Sequence, residues 1–140
     1  MSVDESENVR ITRLMMALVS QKRYDELYQY IDDDIILDCP YQAFHQGPLV
    51  MGLEKYKQGV AFIPYIFSSF ELDIHEIYDC PGQNTVVFEQ TSKGILAANG
   101  LPFANRYLMV FRFRNGKIIL WREFFNPEAM TNQMATTLAA

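Results

Sequence analysis

Along the first half of the chain apolar residues recur every three to four positions, and along the second half they alternate with polar ones. Ile11, Leu14, Met15, Leu18 and Val19 share one helical face. They predict a helix over about residues 5–20, behind a capping box at Ser2-Val3-Asp4-Glu5. Ser20-Gln21-Lys22 interrupts the pattern. Tyr24, Leu27, Tyr28 and Ile31 then predict a short helix over Tyr24–Tyr30. Asp32-Asp33-Asp34 marks its exit, and Ile35–Asp38 reads as a short strand stopped by Cys39-Pro40. Tyr41–Val50 holds Gly47-Pro48 and no periodicity, so it is a loop. Gly52 opens a third helix, about Leu53–Tyr65, with Tyr56, Val60, Phe62 and Ile63 inward and Pro64 ending or kinking it.

In the second half Phe70, Leu72 and Ile74 alternate with Glu71, Asp73 and His75. That is period two, with His75 on the outward side. Turn residues cluster at Asp79–Asn84 and again at Ala97–Pro102, leaving Thr85–Thr91 as a strand between them. Asn105–Pro127 reads as two long strands joined at Asn115-Gly116, a pair that favours tight hairpins. Asn126-Pro127-Glu128 has the caps of a helix start, and a tail helix is expected to about Leu138. Three helices, a short strand and then four longer strands predict an α+β domain. Its curved antiparallel sheet would be wrapped around the N-terminal helices, leaving a conical cavity.

Two registers of the last hairpin compete. A two-residue turn pairs Arg114 with Lys117 and puts Leu108 opposite Glu123. A three-residue loop pairs Phe113 with Lys117 and puts Tyr107 opposite Glu123. The second is favoured, because a half-buried carboxylate needs a hydrogen-bond donor and Tyr107 supplies one. One face then holds Asn105, Tyr107, Met109, Phe111, Ile119, Trp121 and Glu123. The opposite face carries Leu108, Val110, Ile118, Leu120 and Phe124 among Arg106, Arg112 and Arg122. An apolar patch rimmed with arginine predicts a homodimer packed through this outer sheet face.

Composition narrows the function. With 140 residues the chain is expected to form one domain with a sizeable core. Its net charge of −5 and lack of a Lys/Arg cluster argue against nucleic acid and against anionic membranes as partners. No apolar run approaches the ~20 residues of a membrane span, and the polar, acidic start does not read as a signal peptide. Cys39 and Cys80 are too few for a disulfide scaffold or a zinc site, which predicts a reduced, cytoplasmic protein. Neither a metal nor a cofactor is expected. Two histidines lie far from partner carboxylates, and there is no Gly-rich phosphate loop and no nucleophile elbow.

Several short stretches carry a family resemblance. They are Asp38-Cys39-Pro40-Tyr41, Gly52 at the third helix, Asn105-Arg106-Tyr107, and Gly116-Lys117-Ile118 through Trp121-Arg122-Glu123-Phe124-Phe125-Asn126-Pro127. Together with the element order over nearly the whole chain, 1–140, they resemble the SnoaL-like group of the nuclear-transport-factor-2-like, or ketosteroid isomerase-like, superfamily. The resemblance implies a cone-shaped α+β barrel of cystatin-like type, a cavity between sheet and helices, and a dimer. The last strand is similar to the phenazine-biosynthesis A/B proteins, which implies that Glu123 acts as an acid. Asp38 falls near the catalytic Asp of ketosteroid isomerases, with Cys39 inserted before Pro40. Their oxyanion-hole Tyr and Asp fall at Leu14 and Met109. Limonene-epoxide hydrolases have an acid at the Glu123 position, but their Arg-x-Asp pair is replaced here by Gln90-Thr91-Ser92.

Glu123 is therefore the first catalytic candidate, because burial in an apolar pocket tunes a carboxyl for proton transfer near neutral pH. Asp38 is the second; its bland alternative is a strand-end Asp bonded to nearby backbone. Tyr107, Asn105, Gln90 and His45 are candidate ligand contacts, with Met109 and Trp121 as apolar lining. The expected function is binding of a small apolar or aromatic molecule. Cofactor-free isomerisation, cyclisation or condensation in aromatic, polyketide or phenazine-type metabolism would follow from it. The alternatives are a non-catalytic ligand-binding module and a dimeric interaction domain with a filled core.

Overall fold

The computed structural model describes residues 4–41 and 50–128. The order of elements is α1 (Glu7–Ser20), α2 (Tyr24–Tyr28), β1 (Ile31–Asp38), β2 (Val50–Met51), α3 (Leu53–Ala61), α4 (Ile63–Ile66), β3 (Phe67–Cys80), β4 (Thr85–Leu96), β5 (Pro102–Arg114) and β6 (Lys117–Phe125). The strands form one curved, open sheet in the order β2-β1-β6-β5-β4-β3. The antiparallel meander expected from the sequence is present from β3 to β6. The departure is β1, which runs parallel to β6.

The cap of α1 is Ser6, whose hydroxyl accepts the Val9 amide at 3.2 Å. It replaces the box expected at Ser2, most of which lies outside the described residues. Val9, Ile11, Met15, Met16, Leu18 and Val19 are buried as α1 packs on β3 and β4. The Ser20 hydroxyl accepts the Leu72 amide at 3.0 Å and so ties the end of α1 to the sheet.

The three aspartates do not end a helix; they lie inside β1. A strand needs only part of its residues buried, and Ile31 and Ile35 supply that part. Arg114 pairs with two of them, donating to Asp32 at 2.8 Å and to Asp34 at 3.0 Å, and Asp33 is exposed to water. The single helix expected over 53–65 is two. It breaks at Phe62, and Pro64 enters the first turn of α4, where its missing N–H costs nothing. The break turns Phe62 outward, to 63% exposure, whereas Tyr56 is buried as expected.

The last hairpin corrects the favoured register. Asn115 and Gly116 have φ of 52° and 75°, the two left-handed residues of a type I′ turn, and Arg114 pairs with Lys117. A bulge follows at once. Phe113 pairs with Ile118 but Arg112 pairs with Leu120, so Ile119 is the extra residue. Met109 therefore stands opposite Glu123, not Tyr107 or Leu108. This register lies two positions from the favoured one, so Asn105, Tyr107, Met109, Phe111, Trp121 and Glu123 still share the concave face. Ile118 does not lie on the outer face: before the bulge its side is reversed, and it is fully buried.

The buried apolar residues form two clusters. The larger gathers α1, Leu27, Ile31, Ile35, Tyr56, Phe88, Met109, Phe111 and Trp121. The smaller is Phe67, Leu96 and Phe103, with Ile63 and Phe70 against it. A cavity occupies the space between them. Asn126 accepts the Glu128 amide at 3.1 Å, as a helix cap does. The tail helix expected beyond it lies outside the described residues.

Candidate functional site

The cavity has a volume of about 310 Å³, at the lower end of the range for small-molecule sites. Its walls are aromatic and aliphatic: Phe67, Phe70 and Leu72 from β3, Phe103 from β5, Trp121 and Phe125 from β6, and Tyr56, Val60 and Ile63 from the helices. The polar side chains reaching it are Gln90, Tyr107, Tyr56 and Glu123. Among the described lining residues Glu123 is the one carboxylate.

Strand pleating puts Trp121 and Glu123 on the same side of β6. The indole Nε1–H donates to Glu123 Oε1 at 2.6 Å. Trp121 is itself held by aromatic packing, 4.6 Å from the Phe111 ring centroid and 5.8 Å from that of Tyr56. Burial raises the Glu123 pKa above the ordinary carboxylate range, and the Trp121 hydrogen bond offsets part of that rise. The donor expected from the sequence was Tyr107. Its hydroxyl is instead 2.8 Å from Ser92 Oγ, across β4 and β5. Burial raises the Tyr107 pKa, the Ser92 hydrogen bond lowers it, and the negative charge of Glu123 raises it further. Tyr56 is raised by burial first and then by Glu123.

Gln90 lies on β4 opposite Tyr107, at 3% exposure. Its Oε1 is buried without a hydrogen-bond partner. Trp121, Tyr107, Gln90 and Glu123 are thus brought together around one cavity. Asp38 is not among the lining residues. It accepts from Arg122 Nε at 2.8 Å in a partly buried ion pair. Asn105 accepts the Arg106 and Asn126 amides, at 2.8 and 3.3 Å, and secures the end of the hairpin. Met109 is fully buried in the larger core cluster. His45 lies outside the described residues. His75 is exposed, as expected, and is 2.7 Å from the Thr91 hydroxyl.

Phe67 and Phe103 line the cavity but were not singled out by sequence. Phe103 sits just after the turn read at Ala97–Pro102, and Phe67 follows a proline-containing helix. Neither lies in a periodic run long enough to assign a face. Cys39 and Cys80 are free, and burial, then the charges of Glu123 and Asp38, push the Cys39 thiol up to about 12. Such a thiol is a core residue rather than a nucleophile. Among the described residues no three His, Cys, Asp or Glu side chains gather as a metal site, and no helix is long and apolar enough to cross a membrane.

Residues 12–121 match the SnoaL-like domain. The chain belongs to this family. The match ends two residues before Glu123, so it bears on the fold and not on that side chain. An uncharacterized protein of Bacillus subtilis (strain 168), YesE, is 25% identical over 122 residues, covering 82% of this chain and 78% of its own length. Among solved structures, a Bacillus subtilis protein provisionally described as an isomerase superposes with a TM-score of 0.80 at 22% identity, covering 92% of this chain and 93% of its own. A phenazine biosynthesis-related protein from Pseudomonas aeruginosa gives 0.78 at 19% identity, covering 92% and 85%. At these identities the structural likeness establishes the nuclear-transport-factor-2-like fold of this SnoaL-like chain.

Proposed function

We propose that this SnoaL-like protein binds a small, largely aromatic molecule and performs cofactor-free proton transfer on it through Glu123. The reaction class is isomerisation, cyclisation or condensation of an aromatic, polyketide-like or phenazine-type substrate. One observation carries this reading: a carboxyl with a raised pKa lines an apolar cavity, oriented by the Trp121 N–H. A neutral carboxyl there donates a proton to a carbonyl oxygen. The carboxylate left behind is stabilised by the same N–H and takes a proton from the adjacent carbon. Tyr107 and Gln90 supply polar contacts to the ligand. Asp38, in its ion pair, is assigned to the sheet rather than to the chemistry, as are Asn105 and Met109.

The test uses 2-tetralone, an aryl-fused ketone with exchangeable protons beside its carbonyl. The wild-type protein should speed deuterium incorporation at that carbon, measured by mass spectrometry. Glu123→Gln should lose roughly 100-fold of this acceleration while ligand affinity changes by no more than a few-fold. Binding without acceleration would favour the second reading, a non-catalytic binding module, which rests on Glu123 being the one carboxylate among the described lining residues.

We also propose that two copies pair through the outer sheet face, in the cytoplasm and without nucleic-acid or membrane partners. Leu108, at 41% exposure, and Tyr78, at 48%, flank the cross-strand pair Val87 and Val110 on that face. Leu120, also expected there, is largely buried within the chain. Sedimentation should give twice the 16.2 kDa chain mass, and Leu108→Glu should give the single mass.

A further inference from the structure

We infer that ligands enter the cavity past Gly59, where α3 lacks a side chain, and that this gap admits flat, uncharged aromatic molecules edge-on. The inference rests on the proposal that the cavity binds a small aromatic molecule, and adds the route by which one arrives.

Gly59 lies on the cavity face of α3. Tyr56, Gly59 and Val60 stand at spacings of three and four, one stripe of the helix, and all three line the cavity. Such a stripe calls for apolar side chains. Glycine costs stability there, because a helix takes more backbone freedom from it than from any other residue. The usual structural reasons for a helical glycine are missing. Among the described glycines positive φ belongs to Gly52, Gly100 and Gly116, not to Gly59. Nothing crowds the position either: a Cβ there would meet no described atom within 4 Å beyond its own helix. The break that follows at Phe62 has its own cause in Pro64. What remains is the space left by the missing side chain.

That space joins the cavity to solvent. Among the described lining residues Gly59 is the one that is exposed, and every other is buried or partly buried. The rim is apolar. Phe62, whose N–H donates to the Gly59 carbonyl at 3.2 Å, is 63% exposed, and Tyr65, three residues on, is 81% exposed. Large apolar side chains left together in water call for a use. Beside an opening they give an aromatic ligand a surface on which to shed water before it passes inside. A charged ligand gains nothing from them. A gap one side chain wide passes a flat ring system by its edge, and the cavity of about 310 Å³ behind it holds a small one.

The experiment follows 2-naphthol, by its own fluorescence, as it binds in a stopped-flow mixer. Gly59→Leu puts a branched side chain across the opening and raises a barrier that the ligand crosses in both directions. Association and dissociation should therefore slow together, by roughly 10-fold each, while the affinity stays within about threefold of wild type. Gly59→Ala, which narrows the gap by one methyl, should slow both rates less. It should also unfold roughly 2–4 °C above wild type, because nothing in the fold uses the glycine. Unchanged rates in Gly59→Leu would overturn the inference by showing another route. Weaker binding without slower dissociation would overturn it by making position 59 part of the ligand's seat. A lower unfolding temperature in either variant would overturn it by making the glycine structural. Each of these leaves the cavity proposal standing. Failure of wild type to bind 2-naphthol would overturn the cavity proposal, and this inference with it.

Discussion

The indole N–H of Trp121 and the carboxylate of Glu123, two residues apart on β6, are joined at 2.6 Å at the wall of the cavity. Trp121 therefore moderates the titration of the acid, which burial dominates. The hydrogen bond favours the charged form against burial, which disfavours it. Trp121→Phe removes the donor and keeps the ring. The Glu123 pKa should rise further above the ordinary carboxylate range. The Glu123 side-chain carboxyl ¹³C shift, followed through a pH titration, reads this directly, and a fall in pKa would refute the assignment.

The same burial makes stability depend on pH. The folded-state pKa of Glu123 lies above its unfolded value, so the folded protein holds its proton more tightly. The stabilisation is fully present below the unfolded pKa and is lost as pH rises through the folded pKa. Relative to Glu123→Gln, whose amide does not titrate, wild type should lose stability across that window. The loss is about 1.4 kcal/mol for each unit by which the two pKa values differ. Urea unfolding of both proteins at a series of pH values measures it, and a gap that stays constant with pH would contradict it.

Asp38→Asn should behave differently. Its partner Arg122 is 36% exposed, so screening by water limits the value of the pair. We expect a loss of no more than about 1 kcal/mol in stability, and unchanged affinity of the cavity for 2-naphthol. A large change in affinity would return Asp38 to the site.

Gly94 is fixed by close approach rather than by an unusual φ. A Cβ at this position would lie 2.4 Å from the Ser69 carbonyl oxygen, on the neighbouring strand. Because the obstacle is backbone, β3 and β4 must separate to admit it. Gly94→Ala should cost roughly 1–3 kcal/mol, seen as a lower midpoint in urea. An unchanged midpoint would mean that the two strands part freely.

The sequence makes legible what local chemistry dictates. Asn115-Gly116 demands left-handed φ at two successive residues, and the turn formed there. Alternation placed Trp121, Glu123 and Tyr107 on one face, because a two-position shift of register preserves every side. The bulge at Ile119 leaves no such mark: three apolar residues in a row, Ile118, Ile119 and Leu120, suit either face. Its position decides that Met109, and not Tyr107, stands opposite Glu123. The donor to Glu123 comes from its own strand, two residues away, and not from across the hairpin. Asp32–Asp34 misled for a related reason, since Arg114, 80 residues or more away, pairs with Asp32 and Asp34. Nor does any pattern in the chain show that Gln90 ends up with an unpaired carbonyl.

The chain contains one tryptophan, and it is Trp121. Its ring lines the cavity and its N–H touches the acid. Tryptophan emission from this protein therefore originates at the site alone. Departure of the proton from Glu123 places a full negative charge beside the indole, and such a charge shifts and quenches its fluorescence. The protein is its own optical reporter: its emission against pH traces the ionisation of its acid without a label.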